Sequence, residues 1–501
     1  MTDGRTLLIR CDSSVTIGTG HAMRCLALAQ AWRDSGGGGA VFAMAEATTA
    51  VEERLQRESM GVTRLKAEPG SADDLQETIE LARGKQASWI VVDGYGFGAD
   101  YQAGLKHAGL KVLFIDDNGL AVHYSADLVL NQNAHANEAS YSNREASTRL
   151  LLGRRFAMLR REFTSWREWK RENPAIARKV LVTMGGSDPD NLTQRVVEAI
   201  LSDGDFETTV VAGGSNPHLA NLRQLVSSSG REVRLLENVT NMPELMANAD
   251  LAVAGAGTTS WEMCFLGLPA MLIVLAENQQ GVADELAKRG ITVHLGRGSD
   301  LTQSTIAAQV RSLAGSPELR QEMSQRGRAL VDGRGAERVV HMMRKDALSI
   351  RLAEAGDCKL LWEWANDPVV RASAFSSETI PWEEHLAWFR GKLNDPECRI
   401  LVALDASAVP VGQIRFNKRG GSEADVDITV DSRLRGLGYA SLLIGLGANW
   451  AFTEWGLMQL NAFVKPQNVA SAKAFERAGF QRKEIVTVKG KAATHYMRTA
   501  K

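Results

Sequence analysis

The run Arg10-Cys11-Asp12-Ser13-Ser14-Val15-Thr16-Ile17-Gly18-Thr19-Gly20-His21 lies between an apolar, strand-like segment and the first helical stretch. Gly18 and Gly20 let the backbone turn tightly and approach a ligand closely. The helix that follows offers free N–H groups and the positive end of its dipole to an anion. His21 would stand at that mouth, where an imidazole can take a proton from water. Asp12 is a candidate to support His21, and it could equally cap the Ser13-Ser14 turn. A Gly-rich turn carrying an incidental histidine has the same pattern.

Two later runs repeat the arrangement. Val182-Thr183-Met184-Gly185-Gly186-Ser187-Asp188 follows an apolar strand and opens a helix from Asn191. Leu251-Ala252-Val253-Ala254-Gly255-Ala256-Gly257-Thr258-Thr259-Ser260-Trp261-Glu262 does the same. Thr258, Thr259 and Ser260 fall at a helix N-terminus, where hydroxyls and N–H groups can hold a diphosphate. Glu262 lies one step inside and could accept two hydrogen bonds from ribose hydroxyls. Capping residues and a solvated glutamate are the plainer alternative.

The last third has its own anion loop. Ile428-Thr429-Val430-Asp431-Ser432-Arg433-Leu434-Arg435-Gly436-Leu437-Gly438-Tyr439-Ala440 leaves a strand and enters a helix. The Arg433-x-x-Gly436-x-Gly438 spacing sets consecutive N–H groups around an anion, with a helix dipole behind them. A pyrophosphate is the natural guest, and an ordinary strand-to-helix turn is the alternative. Glu423, Asp425 and Asp427 precede the loop on one face of a strand, each a candidate base or a solvated carboxylate.

The elements that position these loops follow from patterning. Short, nearly continuous apolar runs at 7–9, 40–44, 89–92, 111–115 and 128–130 alternate with helical stretches such as His21–Asp34. That is the signature of a parallel sheet buried on both faces. A polar stretch, 161–178, precedes a restart with strands at 180–182, 209–211, 233–236, 251–253 and 270–274. Two Rossmann-like halves with a site in the cleft between them are expected. From about Ser349 the order changes. Strands at 349–352, 400–404, 411–416 and 425–430 precede a helix over 439–450, a strand at 460–464 and a helix over 468–478. The fold class is therefore α/β, with two Rossmann-like domains over 1–165 and 166–345 and an α+β domain over 346–501.

Composition bounds the rest. The chain has 501 residues, 44% hydrophobic and 23% charged, with net charge -1. No global positive field draws it to nucleic acid or to an acidic membrane. Its five cysteines are odd in number and widely spaced, which argues against a disulfide framework or a structural zinc site. No metal is expected. The polar start runs straight into a strand and no apolar run is long enough to cross a bilayer, so a cytoplasmic location is expected.

Together, about 6–338 resembles the UDP-2,4-diacetamido-2,4,6-trideoxy-β-L-altropyranose hydrolases of pseudaminic acid biosynthesis, relatives of the two-domain GT-B glycosyltransferases. The resemblance rests on Arg10 to His21, Val92-Asp93-Gly94-Tyr95, Ile115-Asp116-Asp117, Leu130-Asn131-Gln132-Asn133, the run from Gly153 to Phe163, Gly185-Gly186-Ser187-Asp188 and Glu277-Asn278-Gln279. It implies that His21 is the base that activates water and that Tyr95 and Asn278 line the sugar pocket. It also implies that Gly185, Gly186, Ser187, Thr258 and Thr259 cradle the UDP phosphates and that Glu262 binds ribose. Gly18, Gly20 and Gln279 are carried over as UDP-sugar-binding positions.

The run from Ile428 to Ala440, with Val464 to Phe480, resembles the GNAT acetyltransferases over about 349–497. This implies acetyl-CoA as co-substrate, held by Arg433, Arg435, Gly436, Gly438, Tyr439, Ala440, Asn468, Ser471 and Phe475. Many members carry a tyrosine, the acid for the leaving thiolate, where this chain has Phe475. The cluster from Trp362 to Pro368 and the run Pro381-Trp382-Glu383-Glu384-His385 resemble the branch that acetylates sugar amines, although tryptophans at helical spacing are more often core. His385 is a candidate base but is more readily a helix-face histidine.

The two resemblances meet in one expectation: N4-acetylation of UDP-4-amino-4,6-dideoxy-N-acetyl-β-L-altrosamine, then hydrolytic release of UDP from the diacetamido product. The rivals are the same chemistries on another diamino-trideoxy UDP-sugar, a GT-B glycosyltransferase, and a nucleotide-sugar-binding module fused to an acetyltransferase.

Overall fold

The computed structural model describes residues 6–202, 204–344, 348–405 and 408–500. The chain divides into two compact units, Met1–Val340 and His341–Lys501. The polar start at 1–5 and the expected boundary at 345/346 lie outside the described residues.

The first unit holds two parallel sheets. One contains β1 (Thr6–Cys11), β2 (Ala40–Met44), β3 (Gly61–Arg64), β4 (Ala87–Asp93), β5 (Val112–Ile115), β6 (Leu128–Asn131) and β7 (Arg149–Leu152), in the order β3-β2-β1-β4-β5-β6-β7. The other contains β8 (Lys179–Thr183), β9 (Glu207–Ala212), β10 (Val233–Glu237), β11 (Leu251–Gly255), β12 (Ala270–Val274) and β13 (Thr292–Arg297), in the order β10-β9-β8-β11-β12-β13. Alternate residues of the second sheet go to opposite cores. Ala252, Ala254, Leu272 and Val274 pack with Trp261, Met263 and Phe265 of the helix Thr259–Leu266. Val253, Met271 and Ile273 pack with Val196 and Ile200 on one helix and Ile306 and Val310 on another. Both faces are covered, so the strands read as unbroken apolar runs.

In each sheet the strand order reverses once, between β1 and β4 and between β8 and β11. Loops leaving the carboxyl ends of strands at such a switch point diverge and leave a crevice. The run Arg10–His21, the Asp93–Tyr95 corner, the Gly185–Asp188 loop and the Gly257–Thr259 turn all leave these strand ends. The topology thus brings the sequence-distant motifs to one place.

The second unit has one mixed sheet: β14 (Ser349–Leu352), β15 (Cys398–Leu404), β16 (Pro410–Gly420), β17 (Glu423–Val430), β18 (Gln459–Val464), β19 (Gln481–Val488) and β20 (Lys491–Thr499). The order is β14-β15-β16-β17-β18-β20-β19, antiparallel except for β17 with β18. That parallel pair is registered only from Glu423–Asp425 against Gln459–Asn461. Ile400 and Val402 meet Leu361, Trp364 and Phe389 on one face. On the other face Gly447 lies against Ile414 and Phe416, and a Cβ there would stand 2.8 Å from Ile414.

The pattern of runs overlooked β3, β7, β13 and the β19–β20 hairpin. β3, β7, β13 and β19 lie at sheet edges and are largely exposed or half-buried, which removes the apolar signal.

Candidate functional site

A cleft of about 390 Å³ lies between the two halves of the first unit. His21, on the first turn of the helix Gly20–Asp34, is almost wholly buried in its wall. Its Nδ1 donates to Asp93 Oδ1 at 2.6 Å. A carboxylate can only accept, so Nδ1 carries the hydrogen and Nε2 keeps the lone pair. Asp93 ends β4, fully buried, and also accepts from Arg24 Nη2 at 2.6 Å, Arg24 Nε at 2.7 Å and the Cys25 thiol at 3.3 Å. Burial pushes the Asp93 carboxyl up, but Arg24 and then His21 overcome it and hold it well below the usual carboxylate range. Asp93 is therefore a fixed anion behind the imidazole. Arg24 Nη1 reaches on to Asp117 Oδ2 at 2.7 Å, and Asp117 Oδ1 accepts from Asn133 at 2.9 Å.

Asp12 does not support His21, nor does it cap the Ser13-Ser14 turn. Its Oδ1 accepts from the N–H groups of Ala45 and Glu46 at 2.8 and 3.0 Å, and Oδ2 meets Arg10 at 2.8 Å. The side chain thus reaches the residues just past β2. Sequence reasoning missed Asp93, Arg24 and Asp117 as functional residues. The available signals were a carboxylate closing the apolar run 89–92 and an arginine one helical turn from His21.

Tyr95 and Asn278 bridge the rim of the cleft from opposite halves, with Asn278 Nδ2 donating to the tyrosine hydroxyl at 2.5 Å. The Tyr95 ring meets His21 edge-on at 5.0 Å. The residue is 58% exposed, yet its hydroxyl end is desolvated. Burial, helped by Asp117, pushes that phenol up to about 12, so it stays neutral and can donate.

The glycine loops interlock across the cleft. Gly18 and Gly185 take φ +79° and +90°, where L side chains are strained. A Cβ on Gly186 would meet Thr19 Oγ1 at 2.2 Å, and one on Gly213 would meet Gly186 O at 2.4 Å. A Cβ on Gly20 would lie 3.9 Å from Thr258 Oγ1, so the starts of the helices Gly20–Asp34 and Thr259–Leu266 face each other. Neither helix has a side-chain cap, and both starts line the cleft, where free N–H groups could hold an anion. Ser187 and Thr259 line the same space. Glu262 lies at its inner end, where Oε1 accepts from Arg160 Nη2 at 2.7 Å. Burial raises the Glu262 carboxyl and Arg160 opposes it. Gln279 lines the cleft while its Oε1 accepts from Leu275 N at 3.0 Å.

In the second unit, Gly436 and Gly438 take φ +74° and +79° before the helix Tyr439–Thr453, which gives the loop its concave turn. Arg433 pairs with Asp431 (Nε–Oδ1 2.8 Å), and Arg435 Nη1 meets Asp367 Oδ1 at 2.8 Å. Tyr439 is buried and Ala440 half-buried in the first turn. Asn468 Oδ1 caps its helix by accepting from Ser471 N at 3.1 Å. Phe475 is 3% exposed, against Phe480 and Tyr496, so its ring is part of the core. Trp362 and Trp382 pack edge to face, and His385 is buried with Nε2 donating to Cys358 O at 3.2 Å. That histidine is structural. Asp427 pairs with Arg415 at 3.0 Å and Asp425 with Arg419 at 2.5 Å, while Glu423 accepts from Gln459 at 3.1 Å.

Residues 347–481 match the acetyltransferase (GNAT) domain family, and residues 180–337 match the glycosyltransferase family 28 C-terminal domain. A glycosyltransferase-like unit is fused to a GNAT acetyltransferase domain. An uncharacterized protein of Methanocaldococcus jannaschii is 24% identical over 95% of this chain and 96% of its own length. The UDP-2,4-diacetamido-2,4,6-trideoxy-β-L-altropyranose hydrolase of Campylobacter jejuni is 27% identical over 57% of this chain and 98% of its own. A spermidine N-acetyltransferase structure from Vibrio cholerae, solved with CoA and spermine, is 18% identical over 31% of this chain and 96% of its own, with TM-score 0.29. Among the described residues of the fusion, no group of three or more His, Cys, Asp or Glu side chains is placed to hold a metal, and no helix is long and apolar enough to cross a membrane.

Proposed function

We propose that this chain acetylates a UDP-4-amino-4,6-dideoxy sugar and then cleaves UDP from the diacetamido product, as two steps of pseudaminic acid synthesis. In this reading 1–165 and 166–345 form the hydrolase and 346–501 the acetyltransferase. The observation that carries the hydrolytic half is the His21–Asp93 pair beside two facing helix N-termini. His21 Nε2 takes a proton from water, whose oxygen bonds to the anomeric carbon. The bond from that carbon to the UDP oxygen breaks, and UDP leaves as an anion held by the N–H groups around Gly186, Thr258 and Thr259. Asp93 stabilises the imidazolium that forms. Tyr95 and Asn278 contact the sugar, and Glu262 the ribose. The relative from Campylobacter jejuni supports this choice of substrate.

In the GNAT domain, the loop from Arg433 to Ala440 would hold the acetyl-CoA pyrophosphate, with Arg433 and Arg435 exchanging carboxylate partners for phosphate. Asn468 and Ser471 would frame the neighbouring helix start. Phe475 has no proton to give, so the thiolate receives one from elsewhere.

The match to a glycosyltransferase family favours one second reading, transfer of the sugar to an acceptor other than water. A dual product assay separates the two. Protein and UDP-4-amino sugar are mixed with and without acetyl-CoA, and free thiol and free UDP are followed together. UDP that appears only with acetyl-CoA, lagging thiol, supports acetylation followed by hydrolysis. Thiol without UDP leaves the acetyltransferase standing and requires an acceptor, or another sugar, for the first unit.

A further inference from the structure

The acetyltransferase reading leaves open which group takes the proton from the acceptor amine; the inference below rests on that reading. The helices Tyr439–Thr453 and Val469–Arg477 cover one face of the GNAT sheet, where Phe475 stacks on Tyr496. Strand alternation sends Asp425, Asn461, Phe463 and His495 to the other face. There β17 and β18 part after Asp425 and Asn461, opening a wedge beside Phe463. Strands that part inside a sheet leave backbone groups able to bond an extended guest. His495, on β20 across β18 from the wedge, stacks on Phe463 with ring centroids 5.0 Å apart and an 11° tilt. Arg419, paired with Asp425, covers Phe463 at 4.8 Å.

Asn461 fixes the tautomer of His495. Its amide nitrogen faces Glu423 Oε2 at 3.4 Å, and its oxygen accepts from Gln459 Nε2 at 3.2 Å. That same oxygen lies 2.9 Å from His495 Nε2. An amide oxygen only accepts, so Nε2 carries the hydrogen and Nδ1 keeps its lone pair. Glu484 Oε1 lies 4.0 Å from Nδ1, placed to stabilise a ring that gains a proton. The carboxylates of Asp425 and Asp427 are already paired with arginines.

We propose that His495 Nδ1 is the base of the acetyl transfer. The acceptor ammonium gives one proton to Nδ1. The freed lone pair forms the C–N bond to the thioester carbonyl, and the C–S bond breaks. The imidazolium returns its proton to the leaving thiolate, and the second amine proton passes to water.

The test follows thiol release by the full chain with acetyl-CoA and the UDP-4-amino sugar from pH 5.5 to 9. His495→Gln is expected to lower kcat/KM about 100-fold at pH 7 and to abolish the fall of rate at acid pH, with acetyl-CoA affinity and Tm unchanged. Asp427→Asn should stay within about 3-fold of wild type on the same scale. A His495→Gln profile that keeps its acid limb overturns the proposal. If that variant fails to fold, ring ¹⁵N spectra of wild type decide the matter: an Nε2–H tautomer supports the base, and an Nδ1–H tautomer excludes it. Should wild type bind acetyl-CoA yet acetylate no UDP-amino sugar, the acetyltransferase reading itself fails, and this inference with it.

Discussion

Replacing Asp93 by Asn would keep the shape behind His21 and remove the charge that selects its tautomer. UDP release is expected to lose about 10²–10⁴ in kcat with KM changed only a few-fold, as steady-state kinetics on the diacetamido sugar would measure. A loss under 10-fold would deny Asp93 this role. His21→Ala should abolish UDP release and leave thiol release intact. The contrast in how these two residues could be read is physical. His21 announces itself because Gly18, Thr19 and Gly20 are its chain neighbours. Asp93 comes from another strand, 72 residues away, and only the order of β1 beside β4 joins the pair. Nearness in sequence misled at Asp12, whose carboxylate is taken up by N–H groups just past β2.

Elements close on each other here with little tolerance. Gly186→Ala would drive a methyl group into Thr19, a short side chain that can be trimmed. UDP affinity is expected to fall at least 10-fold and to recover partly in the Gly186→Ala, Thr19→Gly double variant, measured by calorimetry. Gly213→Ala would meet the Gly186 backbone at 2.4 Å, and no side-chain trimming relieves that. In the GNAT domain the helix Trp382–Asn394 buries His385, and that burial lowers its pKa. The unfolded imidazole titrates near ~6.5, so the unfolded chain binds the proton first. Stability from this group is complete above that pH and is lost as pH falls below it toward the folded value. Thermal unfolding between pH 5 and 8 should show this acid-side loss in wild type and a smaller one in His385→Gln. Central strands and helix starts were legible because both faces are apolar and the glycines punctuate. The edge strands β3, β7 and β13 and the β19–β20 hairpin were not, because half-exposed strands carry little periodic signal.

For the molecule as a whole, each proposed chemistry draws on residues of one unit. Gly438→Val places a β-branched side chain at φ +79° and removes the turn before the helix Tyr439–Thr453. Thiol release should fall at least 100-fold while UDP release from a ready-acetylated sugar stays within 2-fold, read in the same dual assay. A parallel fall of both products would mean the units do not act separately. The bridge from Tyr95 to Asn278, with Thr19 seated over Gly186, carries a further consequence. If the first unit turns over a nucleotide-sugar as proposed, these contacts across the rim would have to part for the ligand to enter and leave. Throughput then depends on solvent drag as well as on chemistry. A viscogen such as sucrose should slow kcat for UDP release in proportion to medium viscosity, and Asn278→Ala, which unlatches the rim, should blunt that dependence.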